Sequence, residues 1–156
     1  MKQIRWPRLI LLIAIPEAVG FLSRMLSGDM KTLYAQLIKP PLAPPGWIFG
    51  VVWPILFAMM GIALYLIVGA EGKRKSDALF FFFLQLGVNF LWSILFFRFQ
   101  LYWASLVCLV ILDLLVIYTM RLFRRIDGRA CWLMLPYLMW ILFATYLNAG
   151  VAILNK

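Results

Sequence analysis

The chain has 156 residues, of which 65% are hydrophobic and 13% charged, whereas soluble domains are roughly 45–50% apolar and 25% charged. Its formal net charge is +9 at pH 7, and its mean hydropathy is +0.96. This composition excludes an ordinary soluble protein, and the length fits a single domain spanning residues 1–156. The positive charge does not indicate nucleic-acid binding, because no water-facing domain is available on which basic residues could cluster.

Apolar segments of about 20 residues, the length that crosses a ~30 Å hydrocarbon core, follow one another along the chain. They predict five membrane-spanning helices, at roughly residues 8–28, 46–70, 78–98, 101–121 and 131–154. Strands are a poor alternative, because the apolar runs do not alternate with period two. The sequence therefore predicts an all-α integral membrane protein, a bundle of five transmembrane helices.

The first segment could alternatively be a signal peptide, because Lys2, Arg5 and Arg8 precede the apolar residues 9–15. However, no small-x-small cleavage site followed by a polar mature start appears, and the apolar character resumes after Glu17. We expect a retained first helix.

Lysine and arginine are divided unevenly between the two sides of such a bundle. Ten lie on the side of the N-terminus and of the second and fourth loops: Lys2, Arg5, Arg8, Lys73, Arg74, Lys75, Arg121, Arg124, Arg125 and Arg129. The other side holds at most five: Arg24, Lys31, Lys39, Arg98 and Lys156. Since basic loops are retained in the cytoplasm, we expect a cytoplasmic N-terminus and an external C-terminus.

The first connection, about residues 29–45, is long, whereas the other connections are short. Residues 40–46 contain four prolines and a glycine, which forbid a regular helix or a central strand there. An apolar run carrying Trp47 and Trp53 follows without a break. We predict a stiff, extended Pro-rich loop that caps a pocket between the helices. Only Phe99 and Gln100 separate the third and fourth spans, which must be antiparallel neighbours.

The sequence lacks the residues of a conventional reaction centre. It has no histidine, the usual general base and a common zinc and haem ligand. Its two cysteines, Cys108 and Cys131, are predicted near opposite faces of the membrane, which argues against a disulfide. No phosphate-binding glycine loop and no nucleophile beside a base is present. We therefore expect no metal site, no cofactor and no firm catalytic residue.

Three charged residues fall inside predicted spans: Glu17, Arg24 and Asp113. Such residues are functional hypotheses by default. The structural alternative is stronger here, because Arg24 can extend to water near the helix end and Asp113 can hydrogen-bond across a helix interface. The sequence assigns no function to any of the three. The aromatic run at residues 80–83 is expected to face lipid or the membrane interface.

Polar and aromatic side chains recur at helical spacing in three spans. These are Gly46, Gly50 and Trp53 in the second span, Gln85, Asn89 and Trp92 in the third, and Tyr137, Trp140, Ala144 and Asn148 in the fifth. A buried amide or indole N–H in lipid needs a partner, so these faces should point into the bundle. They then either hold helices together or line a ligand site.

The tryptophans divide into two groups by their depth. Four lie near span ends and suit an interfacial aromatic belt: Trp6, Trp47, Trp103 and Trp132. Trp53, Trp92 and Trp140 lie deeper, and we predict that they line a ligand site.

Three motifs carry a resemblance to a known family. They are residues 44–54 (PPGWIFGVVWP), residues 89–93 (NFLWS) with Phe96 and Phe97, and residues 136–140 (PYLMW) continuing to 143–148 (FATYLN). In this order they resemble the tryptophan-rich sensory protein family (TspO/MBR), the bacterial relatives of the mitochondrial translocator protein or peripheral benzodiazepine receptor.

The resemblance implies a five-helix bundle whose first loop caps a pocket for porphyrins such as protoporphyrin IX, isoquinoline carboxamides or related planar apolar ligands. The pocket residues it implies are Tyr34, Pro41, Trp53, Asn89, Trp92, Trp140, Ala144 and Leu147. Some bacterial relatives degrade protoporphyrin with light and oxygen, and Trp53 and Trp140 match the implicated positions. We also consider Lys31 or Lys39 as a partner for a propionate.

Family members often form homodimers, and the spacing of Ala14 with Ala18 and of Gly46 with Gly50 permits close helix packing without naming an interface. Cholesterol binding is not predicted, because Tyr146 has no basic residue within five positions. Three functions stay open: a porphyrin receptor or sensor, a light-dependent porphyrin-degrading activity, and a transporter. The lack of an internal repeat argues against active transport. The natural ligand is not determined by the sequence.

Overall fold

The computed structural model describes residues 4–155, so that two of the basic residues counted above, Lys2 and Lys156, lie outside it. The helices within this range are α1 (Trp6–Leu26), α2 (Met30–Gln36), α3 (Trp47–Gly69), α4 (Lys75–Ser93), α5 (Tyr102–Ile126) and α6 (Gly128–Leu154). A π-helical turn, Ile94–Arg98, continues α4. Five helices, counting α4 with its π turn, are long and apolar enough to cross a membrane. The predicted all-α, five-span, multi-pass membrane architecture is confirmed.

The five long helices pack as a ring. α1 lies against α3 and α4, α3 against α6, α6 against α5, and α5 against α4. The two spans on either side of Phe99 and Gln100 are α4 and α5, and they pack against each other as the sequence predicted. In the apolar part of α1 only 11% of the residues are buried, against 39–50% in the other spans. α1 thus lies at the periphery, with most of its surface directed away from the bundle.

The connection between α5 and α6 is shorter than the apolar pattern indicated. α5 continues past the predicted end at 121 to Ile126. Arg124 and Arg125 occupy its last turn, where positively charged side chains interact favourably with the negative end of the helix dipole. α6 then begins at Gly128 instead of 131. Its N-cap is Asp127, whose carboxylate accepts the Arg129 backbone N–H at 2.9 Å. Capping chemistry, and not hydropathy, sets this boundary.

The first connection differs from the extended loop that we predicted. Its first part forms α2, which begins after Asp29, whose carboxylate accepts the Thr32 backbone N–H at 3.1 Å. The residues after α2, 37–46, contain no helix or strand, as the prolines require. We call this segment the Pro-rich loop, and the end of the bundle at which it lies the loop end.

Within the described chain, the close approach of α1 and α3 occurs at Gly61 and Gly20. A Cβ at Gly50 would meet nothing within 4 Å in the described chain. A Cβ at Gly61 would lie 2.8 Å from the Leu12 backbone oxygen, and one at Gly20 would lie 2.7 Å from Phe57 Cδ2. Gly61 and Gly20 therefore permit the α1–α3 contact.

The aromatic run at residues 80–83 does not lie entirely on the surface. Phe80 and Phe83 are exposed, but Phe82 is fully buried and stacks on Phe123 with ring centroids 5.9 Å apart. The expectation of a lipid-facing run was wrong for Phe82, because a helix turns successive side chains by about 100° and one of four must face the neighbouring helix.

Candidate functional site

Aromatic side chains connect the first connection to the bundle at the loop end. The ring of Tyr34 in α2 contacts Phe49 of α3 edge to face, with centroids 5.2 Å apart. Phe49 in turn contacts Trp140 of α6 in the same geometry, at 5.7 Å. Edge-to-face contacts of this kind are favourable beyond the area they bury. The three rings form a continuous wall from α2 to α6.

A second aromatic group lies around Trp53, one turn further along α3 than Phe49. The Trp53 ring lies 6.0 Å from Trp92 of α4, 6.4 Å from Tyr137 of α6 and 5.5 Å from Phe57 of its own helix. Trp53 is therefore the side chain at which α3, α4 and α6 meet.

The polar face of α4 is hydrogen-bonded to α6 through Tyr137, which is fully buried. The Tyr137 hydroxyl donates to Gln85 Oε1 at 2.9 Å and accepts from Asn89 Nδ2 at 3.0 Å. The Tyr137 hydroxyl thus supplies hydrogen-bond partners to side chains from two successive turns of α4. Removing it would leave buried amide atoms without partners.

Asn148 forms a second network, nearer the loop end. Its Oδ1 accepts from Trp92 Nε1 at 3.0 Å and from the Ser105 hydroxyl at 2.9 Å. Its Nδ2 donates to the Tyr102 backbone oxygen at 2.8 Å. One amide therefore joins α4, α5 and α6 and sets the orientation of the Trp92 indole.

Two buried donors next to these networks have no hydrogen-bond partner within residues 4–155: Trp140 Nε1 and Gln85 Nε2. Buried polar groups are nearly always paired, so an unpaired donor points to an additional acceptor. The Trp140 donor lies beside the aromatic wall, and Gln85 is bonded through its oxygen to Tyr137. Both donors belong to the faces on which the predicted pocket residues occur.

The Pro-rich loop is fastened along the C-terminal part of α6. The Ile38 backbone and the Asn155 side chain exchange two hydrogen bonds, at 3.0 and 2.8 Å. Pro40 is buried against Gly150, and the Tyr146 hydroxyl donates to the Pro41 backbone oxygen at 2.8 Å. The loop thus runs along about three turns of α6.

Tyr34 holds the other end of the loop, because its hydroxyl donates to the Pro44 backbone oxygen at 2.7 Å. Partial burial raises the pKa of this phenol, which therefore stays a neutral donor. Lys39 Nζ donates to the backbone oxygens of Tyr34 and Leu37, at 2.9 and 3.0 Å, and lies 5.0 Å from the Tyr34 ring centroid. Lys39 is therefore engaged in holding the loop, and Lys31 is exposed in α2.

The structure brings most of the predicted ligand residues together. Asn89, Trp92, Ala144 and Leu147 are buried, while Tyr34, Trp53 and Trp140 are half-buried. The side chain of Pro41 is exposed, so its contribution is the backbone oxygen.

The sequence-based prediction of the site missed two residues, Phe49 and Tyr146. Phe49 joins Tyr34 to Trp140, and Tyr146 fastens the loop. Phe49 could have been predicted from the sequence, because it lies four residues before Trp53 and therefore on the same face of the helix.

The remaining polar expectations can be compared with the structure. The Thr145 hydroxyl donates to Asp113 Oδ2 at 2.9 Å across the α5–α6 interface, as the structural alternative required. Arg24 is exposed near the end of α1, and Glu17 is half-buried. Cys108 and Cys131 are free thiols. Among the described residues no group of three potential metal-ligating side chains occurs.

The tryptophans also differ in exposure in the way that this division predicts. Trp6, Trp47, Trp103 and Trp132 are 61–73% exposed near helix ends. Trp92 is 7% exposed, and Trp53 and Trp140 are partly buried between helices. The first group suits the interfaces of a bilayer, and the second lines the interior.

Comparison with known proteins identifies the chain's relatives. A sequence profile of the TspO/MBR family matches residues 12–154. The Tryptophan-rich protein TspO of Archaeoglobus fulgidus is 40% identical over 149 residues, 95% of this chain and 97% of the relative. The Tryptophan-rich sensory protein of Cereibacter sphaeroides is 35% identical over 122 residues, 78% of this chain and 76% of the relative. The Translocator protein of Ovis aries is 35% identical over 139 residues, 86% of this chain and 82% of the relative. The chain therefore belongs to the TspO/MBR family of membrane sensory and translocator proteins.

Proposed function

We propose that this chain is a membrane receptor or sensor that binds porphyrins, such as protoporphyrin IX, and related planar apolar ligands at the loop end of the bundle. One observation carries the proposal. Aromatic rings from α2, α3, α4 and α6 converge there beside the buried Trp140 indole N–H, which has no acceptor in the described chain. Flat aromatic ligands stack on such rings.

The ligand class follows from the chemistry of the lining. Trp140 and Gln85 each offer an unpaired donor, so a ligand that carries a carbonyl or carboxylate oxygen is favoured. The rest of the lining is apolar and aromatic, which suits a ligand held by stacking and shape. Pockets of this composition accept many planar molecules.

The Pro-rich loop acts as the lid in this proposal. A porphyrin is too large to enter between Tyr34, Phe49 and Trp140 without displacing side chains or the loop. The hydrogen bonds from Tyr146 to Pro41 and from Tyr34 to Pro44 are the fastenings that would open. Each joins a side chain to a backbone oxygen, so the loop can detach without unfolding a helix.

The membrane orientation and assembly belong to the same proposal. We propose a cytoplasmic N-terminus and a pocket toward the outer face, which the excess of basic residues at the end opposite the loop supports. The homodimer that the family resemblance implies is part of the proposal, and α1, which its own chain covers least, is the helix most accessible to a second copy.

A light-dependent degradation of the porphyrin is the second candidate. It is favoured by the position of Trp53 and Trp140, whose rings would lie beside a ligand in this pocket and supply oxidisable indoles. This activity consumes oxygen and light, and no general acid or base is required of the protein. Transport of the ligand is the third candidate, and it predicts flux in proteoliposomes.

The test is a titration of protoporphyrin IX into purified protein in the dark, followed by illumination. We expect saturable quenching of tryptophan fluorescence at micromolar concentration. The double variant Trp53→Phe with Trp140→Phe should bind at least about tenfold more weakly, since lost stacking and a lost hydrogen bond each cost about 1 kcal/mol. The matched control is Trp103→Phe with Trp132→Phe, two exposed indoles.

The outcomes separate the candidates. Quenching with a constant Soret band under light supports a receptor or sensor. Quenching followed by loss of the Soret band, dependent on light, oxygen and the two interior tryptophans, supports degradation. If porphyrin does not bind at micromolar concentration, or if both double variants bind equally, the proposed pocket is wrong.

A further inference from the structure

A separate cavity lies at the turn between α1 and α2. It measures about 380 Å³, and its lining includes Phe21, Arg24, Met25, Asp29 and Lys31. The turn itself requires Gly28, whose φ of +78° is disfavoured for other residues. Lys31 was considered above as a partner for a propionate, but none of the cavity residues takes part in the aromatic and hydrogen-bond contacts that define the candidate porphyrin site.

The charges of the cavity are not balanced within the chain. Neither Arg24 nor Lys31 forms an ion pair or a side-chain hydrogen bond with any residue between 4 and 155. Hydrogen bonding by the Thr32 side chain and by the Thr32 backbone N–H lowers the pKa of Asp29 and keeps the carboxylate charged. Two cations and one carboxylate leave one positive charge, which a single anionic group would neutralise.

The apolar part of the cavity faces the bilayer. Phe21 and Met25 are 64% and 65% exposed and lie one turn apart on α1, the peripheral helix. Arg24 lies in the last turn of α1, and Lys31 lies just beyond it. Arg24 therefore lies between Phe21 and Met25 along the helix axis, and Lys31 follows beyond the end of α1. The cavity thus combines apolar and basic side chains at a helix end, the two kinds of group that contact the acyl chains and the phosphate of a lipid.

We propose that this cavity binds one phosphatidylglycerol molecule, an anionic glycerophospholipid with hydroxyl groups in its head. Its phosphate oxygens accept hydrogen bonds from Arg24 and Lys31, and its glycerol hydroxyls donate to Asp29. An acyl chain packs on Phe21 and Met25. The phosphate balances the one uncompensated positive charge. A phosphatidylcholine head has no net charge and no donor for Asp29, so it fits the cavity less well.

The experiment is native mass spectrometry of the protein taken from micelles that contain equal amounts of phosphatidylglycerol and phosphatidylcholine. We expect one retained phosphatidylglycerol, preferred roughly tenfold or more, since each basic residue at a lipid surface strengthens binding several-fold. The variant Arg24→Gln with Lys31→Gln should lose this preference. The matched control, Lys73→Gln with Arg74→Gln, removes two basic residues at the opposite end of the bundle and should retain it.

Further arms distinguish a bound lipid from a bound free phosphate and from a folding defect. Each cation is also replaced singly, so that the result does not depend on how well the double variant folds. Soluble glycerol phosphate at millimolar concentration should not displace the lipid, and Phe21→Ala with Met25→Ala should weaken its retention. The proposal fails if glycerol phosphate displaces the lipid, if phosphatidylcholine is retained equally, or if the Arg24 and Lys31 variants retain phosphatidylglycerol as the native chain does.

Discussion

The contact between Pro40 and Gly150 gives a direct way to lift the Pro-rich loop from α6. A Cβ at position 150 would lie 2.5 Å from Pro40 Cβ and 3.1 Å from Pro40 Cδ. Carbon atoms in contact are about 3.5–4.0 Å apart, so the substitution Gly150→Ala must move Pro40 by about 1 Å. The Pro40 ring cannot rotate away, and the hydrogen bonds at Ile38 and Pro41 on either side of it would lengthen.

The magnitude follows from two opposing terms. Overpacking of this kind costs about 1–3 kcal/mol. Replacing glycine by alanine inside a helix is worth up to about 1 kcal/mol in the other direction. Gly87→Ala in α4 is the matched control, because a Cβ there meets nothing within 4 Å in the described chain. Because both variants gain the same helix propensity, the difference between their free energies of unfolding measures the cost of overpacking. We expect Gly150→Ala to be less stable than Gly87→Ala by about 1–3 kcal/mol.

The assay is chemical unfolding in detergent, combined with proteolysis of the native state by a protease that cleaves after large apolar residues, for which Leu42, 83% exposed and followed by Ala43, is the site in the loop. Gly150→Ala should be less stable than Gly87→Ala and should be cleaved faster within residues 37–46. If the two variants are equally stable and equally resistant to cleavage, Pro40 does not hold the loop on α6, and the fastening described above is wrong.

Three further predictions concern the bundle. Tyr137→Phe should lower the free energy of unfolding by about 1–3 kcal/mol, because it leaves buried amide atoms unpaired; chemical unfolding measures the loss. Phe82→Ala should cost about 3–5 kcal/mol, as a buried ring is lost, whereas Phe80→Ala should change stability by less than about 0.5 kcal/mol. A result in which both phenylalanines matter equally would contradict the burial of Phe82. The hydrogen bond from Arg129 holds the pKa of Asp127 below its ordinary value of 3.8. Its stabilising effect is therefore complete above about pH 4 and is lost as the pH falls through the lower folded pKa. Asp127→Asn should remove this part of the pH dependence, measured as Tm at pH 7 and pH 3.

Some interior features could be read from the sequence because the period of a helix is fixed. Gln85, Asn89 and Trp92 recur on one face, and all three are buried. Their partners could not be read in the same way. Tyr137 is 52 residues from Gln85 along the chain, and Trp92 is bonded to Asn148, 56 residues away. Such pairs depend on which helices are neighbours, and no local pattern contains that information.

The first connection shows the same limit. Four prolines exclude a regular helix over residues 40–46, and this local rule was confirmed. The helix α2 immediately before them was missed, although Asp29 is a good N-cap residue. The path of the Pro-rich loop along α6 depends on Gly150 and Tyr146, which lie more than 100 residues away.

The sequence by itself determined that this protein folds in a membrane, how many spans it has, and which tryptophans are exposed near helix ends. These follow from the length of apolar runs against the thickness of a bilayer and from the 3.6-residue period of a helix. Only the tertiary structure decided the order of the helices in the ring, the partners of the buried amides and the attachment of the loop. Those depend on contacts between distant segments, where close packing and the pairing of every buried polar group select one arrangement.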